Sequence, residues 1–435
     1  MSEQLPATEQ PTGPGPAPER PRLLADLDRT GSAIITAITQ GSPAVVTALS
    51  IFTALVVGAV LVAVTDPVVL RAWDSVGYAP GAAFSATWNS AAAAYSALFE
   101  GAIFNPSTVS AAFHGGSVAA IFYPLSLTVY QATPLILTGL SVAIAFRAGL
   151  FNIGAAGQFI GGAIVAAWLA ADVSMPLGIH ILVCVVGAII GGALVGGIVG
   201  ELKARTGAHE VIVTIMLNYI MANLLLYLLS SHNLLQAPRE TNPIAPTIAS
   251  NAILPHVGGP PPQAGLGFAL ALAAAAGVAW LLSRSTIGFR FRTVGANPSA
   301  ARSAGMSVER SWVLVMLIAG ALAGLAAAVV VLSGGSPPPP LVASTVGTYG
   351  FDGITVALLG RAKPGGVVLA GLLFGALYAG GTNVAASTSV PTDIVLVLEG
   401  LIVLFVAAPP LIKAIYRLRG AAGTGMEAVA KGWNG

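Results

Sequence analysis

Asn152 and Gln158 flank a glycine-rich interruption, Gly149-Leu-Phe-Asn-Ile-Gly-Ala-Ala-Gly-Gln158, that lies between two long apolar runs. Hydrocarbon cannot satisfy unpaired backbone groups, so irregular backbone at membrane depth survives only beside protein or a water-filled cavity. The interruption therefore marks a candidate pathway for a polar solute. Glu210, Thr214 and Asn218 recur at intervals of four and form one polar stripe on a helix. Asp352 lies in Tyr-Gly-Phe-Asp-Gly, and Asn383, Asp393 and Glu399 lie in or near the last two apolar runs. Ionisable residues within membrane segments are functional candidates, while hydrogen bonding between helices would explain the same residues without a substrate.

Other chemistries are missing from the chain. No Gly-x4-Gly-Lys-[Ser/Thr] phosphate loop and no His-Glu-x-x-His occurs. The five histidines, at 114, 180, 209, 232 and 256, have no metal-ligand spacing. Cys184 is the single cysteine and sits in an apolar run, which leaves no disulfide framework and makes it a packing residue. The sequence thus offers no catalytic residue, no metal site, no cofactor site of its own and no basic aromatic patch for nucleic acid.

The elements that must position these polar groups are membrane helices. Only 8% of the 435 residues are charged, against about 25% in soluble domains, and the mean hydropathy is +0.84. About 20 apolar residues cross a bilayer. Spans are expected at 43–65, 117–146, 155–172, 176–200, 211–230, 265–283, 312–333, 348–360, 366–383 and 392–410, the eighth being short enough to read alone as a half-helix. The fold class is all-α and polytopic, with about ten transmembrane helices in a membrane domain over 43–410. All but Arg71 and Arg239 of the 19 Lys and Arg residues fall in segments that share one side if residues 1–42 are cytoplasmic. The positive-inside rule then places both termini in the cytoplasm. Residues 1–42, rich in Pro, Thr and charge, read as a disordered cytoplasmic tail, and 411–435 as a second cytoplasmic tail.

Two outer segments follow from this arrangement. Residues 66–116, with Trp73, Trp88, Tyr95 and Phe99, suggest short helices lying at the interface, and residues 231–264 read as an external loop. Phe151-Asn152 opens an outward span and Phe351-Asp352 an inward one five spans later, the signature of inverted five-helix repeats. The inner loop 284–311 carries five arginines. Asn297 can cap a short helix with Pro298 at its first position, and Gly305 can end it. Such a helix suits docking of a cytoplasmic partner, although arginines here also satisfy topology.

Five motifs in order resemble permease subunits of bacterial ABC importers, in the ribose and branched-chain amino-acid permease branch. They are Thr133-Pro-Leu-Ile-Leu-Thr-Gly-Leu140, Phe146-Arg-Ala-Gly-Leu-Phe-Asn-Ile-Gly154 with Gly157-Gln158, Glu210-Val-Ile-Val-Thr-Ile-Met-Leu-Asn-Tyr219, Gly295-Ala-Asn-Pro-Ser-Ala-Ala-Arg-Ser-Ala-Gly305 and Gly350-Phe-Asp-Gly-Ile-Thr-Val-Ala-Leu-Leu-Gly360. The likeness is strongest to the larger permease of nucleoside importers and runs from about residue 90 to 408. Ala156 and Glu399 depart from it, standing where relatives are expected to carry Glu and Gln.

The resemblance implies a multi-pass protein of the bacterial cytoplasmic membrane that pairs with a second, related permease. An external binding (lipo)protein would deliver cargo, and an ABC ATPase, binding the ATP and Mg, would dock through Gly295, Asn297, Pro298, Ala301, Arg302 and Gly305. Phe151, Asn152, Gln158, Thr214, Asn218, Phe351, Asp352, Asn383 and Glu399 would border the substrate pathway. The cargo would be a nucleoside, or else a sugar, amino acid or other small solute. An ion-coupled secondary transporter, with Asp352 or Glu399 carrying protons, is the rival from another class. For topology, a reporter fused after Arg419 is expected to behave as cytoplasmic and one inserted near Thr247 as external; the reverse at either site would overturn the orientation.

Overall fold

Proline punctuates this chain into helices. Pro43, Pro67, Pro80, Pro106, Pro298, Pro364 and Pro409 each occupy the first position of one, where a missing N–H costs nothing and the fixed φ is already helical. The structure is a computed structural model that describes residues 43–418 apart from 233, 256–264, 334–338, 389 and 392. The tail 1–42 and residues 419–435 of the second tail lie outside the described residues.

In chain order the helices are α1 (Pro43–Thr65), α2 (Pro67–Asp74), α3 (Pro80–Ala102), α4 (Pro106–Phe113), α5 (Tyr123–Arg147), α6 (Ala155–Asp172), α7 (Ile179–Thr206) and α8 (Glu210–Leu229). They continue with α9 (Leu266–Arg284), α10 (Thr286–Ala296), α11 (Pro298–Ser303), α12 (Val308–Leu332), α13 (Tyr349–Leu359), α14 (Pro364–Ser387), α15 (Asp393–Ala407) and α16 (Pro409–Ile415). Among the described residues there is no strand, only an isolated bridge between Ile244 and Val342.

Helix α5 is the centre. Every residue from Ala132 to Ala145 is buried, and α6, α9, α12, α13 and α14 all pack on it. Glycine decides how closely the other helices approach. A methyl at Gly192 would strike the Gly320 carbonyl oxygen and Gly324, and one at Gly196 the Met316 carbonyl oxygen, so α7 and α12 touch backbone to backbone. Gly162 of α6 meets Gly324 in the same way. Lipid gives apolar side chains no reason to cluster, so such contacts supply the dispersion energy that holds membrane helices together.

Among the described residues eight helices are long and apolar enough to cross a membrane, and they coincide with the expected spans one to seven and nine. The other two differ. Helix α13 has eleven residues, about 16 Å at 1.5 Å per residue, where a bilayer core needs about 30 Å. Turns and non-helical chain flank it on both sides. At one end Ala245 N–H bonds to the Leu341 carbonyl at 2.9 Å beside the Ile244–Val342 bridge. At the other, Arg147 Nε reaches the Ala362 carbonyl at 3.0 Å and Arg361 Nη2 lies 3.3 Å from Thr47 Oγ1. The tenth expected span, 392–410, is occupied by the 15-residue α15, and α16 follows it into the expected tail, bent by 87° at the Pro409 junction; only the two helices together are long and apolar enough to cross.

Segment 66–116 also corrects the sequence reading. Besides the short α2 and α4 it contains α3, 23 residues long, which packs against α1 and α14 instead of only lying at the interface. The Tyr95 hydroxyl donates to the Leu55 carbonyl, Ser90 Oγ to Asp66 at 2.6 Å, and Asn383 Nδ2 to the Ala97 carbonyl at 2.7 Å. Its buried residues Ala83, Ala94, Ala97 and Ala102 are small; of the aromatics that suggested an interfacial position, Trp88 and Phe99 lie on its free side while Tyr95 faces α1. Introducing leucine at Gly192 is expected to abolish a monodisperse peak in detergent gel filtration, whereas leucine at Gly277, which has no neighbour within 4 Å of a would-be Cβ, should leave it intact.

Candidate translocation pathway

The interruption before α6 is held by side chains from three helices. Gly149, at φ +74°, turns the chain out of α5. Asn152, Gln158 and Ser141 are fully buried together: Asn152 Nδ2 donates to Gln158 Oε1 at 3.0 Å, and Gln158 Nε2 returns a bond to Asn152 Oδ1 at 3.2 Å. Asn152 Oδ1 also accepts the Gly154 N–H at 3.0 Å. From α8, Asn218 donates to the Ile153 carbonyl at 3.0 Å and accepts the Gly157 N–H at 2.8 Å. Thr214 packs its methyl beneath Gly154, where a Cβ would come within 2.9 Å. One turn further, Glu210 bonds Lys203 Nζ at 2.7 Å and lies 3.4 Å from the Phe151 N–H.

The polar stripe of α8 therefore faces the interruption, and its hydrogen-bonding groups pair with protein. A buried amide left unpaired costs about 1–3 kcal/mol, so Asn218 and Asn152 serve the backbone of the break. Of the other pathway candidates, Phe151 is half-buried with its ring 4.8 Å from that of Phe146, and Asn383 ties α14 to α3.

Phe351, Asp352 and Glu399 gather elsewhere, around the start of α13. A methyl at Gly350 would strike Ala156, so the first turns of α6 and α13 abut. Thr348 Oγ1 and the Tyr378 hydroxyl both donate to Asp352 Oδ2, the latter at 2.8 Å. Glu399, buried on α15, approaches the same Tyr378 hydroxyl. Among the described residues neither carboxylate has an ion-pair partner. Phe351 is 52% exposed and Thr348 is exposed, so this set opens outward. The rings of Phe159 and Tyr349 lie 5.7 Å apart at its inner edge.

Tyr378 and Thr348 escaped the sequence reading. Tyr378 sits in an apolar, glycine-rich run, and only its period-four register on α14 relative to Phe374 and Thr382 could have drawn attention to one face.

Loop 284–311 folds as two short helices, α10 and α11, of which the sequence had indicated the second. Asn297 caps α11 by accepting the Ala300 N–H at 3.0 Å, Pro298 is its first residue, and Gly305 turns the chain at φ +78°. Ala301 is buried with Val294 and Val308, and Arg302 pairs with Glu309. Asn297 to Ala300 and Arg302 to Gly305 are exposed. Gly295 presses on the backbone of Arg147 to Gly149, so the loop touches the root of the interruption.

Comparison with known proteins gives a consistent set of relatives. A family model described as the branched-chain amino acid transport system, permease component, matches residues 124–407. The chain is 37% identical over 304 residues to the guanosine ABC transporter permease protein NupP of Bacillus subtilis, a match covering 70% of this chain and 86% of that protein. It is 34% identical over 307 residues to the nucleoside ABC transporter permease protein NupB of Lactococcus lactis, covering 66% and 80%. It is 33% identical over 305 residues to the glucose ABC transporter permease protein TsgB13 of Haloferax volcanii, covering 67% and 78%. No solved structure matches.

The geometry predicts a stability phenotype for Asn218. Asn218→Leu strands the Gly157 N–H and the Ile153 carbonyl in a buried site, at about 1–3 kcal/mol each. The thermal midpoint of the purified protein is expected to fall clearly below wild type. An unchanged midpoint with impaired uptake would instead return Asn218 to the substrate path.

Proposed function

The chain belongs to the permease-component family of branched-chain amino acid transport systems, as a membrane-spanning subunit of an ABC transporter, and we propose that it imports nucleosides. The observation that carries this reading is the open set at the start of α13. Two carboxylates and a phenol accept and donate hydrogen bonds as ribose hydroxyls require, and the exposed Phe351 offers a face on which a base can stack. An anionic or zwitterionic cargo would bring its own carboxylate or phosphate toward Asp352 and Glu399. The guanosine permease NupP and the nucleoside permease NupB, both similar to this chain, agree with this reading. The glucose permease among the relatives keeps a neutral sugar as the second reading, since sugar hydroxyls fit the same acceptors.

In this mechanism the pore is completed by a second, related permease, and an external binding protein delivers cargo to the face carrying the Ile244–Val342 bridge. The ATPase partner, which holds ATP and Mg, docks on the exposed surface of α11 around Asn297, Pro298, Arg302 and Gly305. Its movement reaches the pathway through Gly295 and the backbone of Arg147 to Gly149. Both tails and loop 284–311 are cytoplasmic in this scheme, and the membrane is the bacterial cytoplasmic membrane.

The test is uptake of labelled guanosine by vesicles containing the assembled transporter. Uptake is expected to need internal ATP and an active ATPase partner, to survive collapse of the proton gradient, and to be suppressed by excess uridine but not by glucose. Suppression by glucose alone would establish the sugar reading. Uptake that ignores the ATPase and follows the proton gradient would establish secondary transport.

A further inference from the structure

Helix α8 carries a second polar line that the interruption does not use. Tyr219, Asn223 and Tyr227 follow one another at intervals of four, one residue round from the Thr214–Asn218 stripe. Tyr219 is 65% exposed and Tyr227 is 63% exposed. Asn223 is exposed too, and its single bond, Nδ2 to the Tyr219 carbonyl at 2.8 Å, stays within its own helix. Its Oδ1 and second amide hydrogen have no partner among the described residues. Asn223 lies about 9 Å from the outer end of a 20-residue helix, at 1.5 Å per residue, which puts it inside the hydrocarbon thickness. Tyr227, one turn further out, suits a headgroup position; Asn223 does not. Acyl chains would offer no partner to its Oδ1 and second amide hydrogen, which favours a polar neighbour for this face.

Its surroundings indicate what. Asn218, immediately before Tyr219, packs on Gly157, while Gly350 packs on Ala156, so α8 and the start of α13 flank the same first turn of α6. The 3-10 turn Ala343–Val346, two residues ahead of Thr348, rests against α8. Helix α8, which carries the polar line, is thus a neighbour of the chain that leads into α13.

We propose that the Tyr219–Asn223 face of α8 is a wall of the translocation pathway, and that Asn223 reads the polar edge of the passing cargo while the Tyr219 ring supports its flat face. The inference rests on the permease reading and does not depend on the cargo being a nucleoside. An amide can donate to one cargo and accept from another, which makes Asn223 a discriminating contact between solutes of one size.

The experiment uses the complete transporter with saturating, cargo-loaded binding protein, so that affinity for the binding protein does not set the rate. Asn223→Leu and Asn223→Gln are compared with wild type for guanosine, inosine and cytidine, and for glucose and its deoxy analogues if wild type proves to carry glucose. Asn223→Leu is expected to slow the best cargo about tenfold, the scale of one lost hydrogen bond in a dry site, and to change the ranking of cargoes. Asn223→Gln should restore part of the rate. Co-purification of the partner subunits should be unchanged. Wild-type rates and ranking would place the face against lipid; loss of co-purification would assign it to contact with the second permease; equal slowing of every cargo without rescue by glutamine would make it structural. Each of these three overturns the proposal. Wild-type cargo preference is measured in the same series, so failure of the nucleoside reading is seen separately.

Discussion

Breaking a helix inside a membrane exposes backbone donors and acceptors that no lipid can satisfy, and the architecture follows from how this chain meets that requirement. Between α5 and α6 the break is filled from three directions. Asn152 bonds its own loop, Gln158 and Ser141 brace Asn152, and Asn218 crosses from α8 to take one donor and give one acceptor. Glu210 and Lys203 close the end nearest the arginine-rich loop. With these bonds in place, α6 can begin with its first turn beside the first turn of α13.

That juxtaposition separates two kinds of polar residue. Groups that look inward at the break have partners and act as scaffold. Groups that look outward from the start of α13 (Thr348, Phe351 and Asp352, joined by Tyr378 and Glu399) form an opening of carboxylates, hydroxyls and rings without a cation to neutralise them among the described ion pairs. Loop 284–311 reaches the other side of the same scaffold, since Gly295 contacts the chain where it leaves α5. A movement imposed on α10 and α11 therefore has a short mechanical route to the break, through backbone with no side chain to absorb it.

Small residues make the rest rigid. The α6–α7–α12 contacts run through glycine on both sides, and α14 meets α5 through Gly371 against Ile136 and Gly375 against Ala132. Contacts this close leave little room for helices to slide independently. Helix α8 is different: most of its surface is free, and it is fastened mainly at the stripe that holds the break. It is the element best placed to meet partners or cargo.

Apolar length and charge are properties of consecutive residues, and they determined the all-helical membrane class, eight of the expected spans, the gathering of basic segments, and the Asn297–Pro298 cap. The same local chemistry marked Gly149–Gln158 as an interruption. What it could not determine is which way a polar side chain points once helices pack. Glu210, Thr214 and Asn218 are as polar as Tyr219 and Asn223, and the two lines differ by a single residue of helical phase. Only the contacts of Asn218 with Gly157 and Ile153, of Thr214 with Gly154 and of Glu210 with Lys203 and Phe151 assign the first line to the scaffold, while the second stays exposed. Likewise Tyr378 reads as one more residue of an apolar run until α14 is set beside α13, and α3 reads as interfacial until its alanine face meets α1 and α14. Direction around a helix axis, and the distance between residues far apart in the chain, exist only in the tertiary structure.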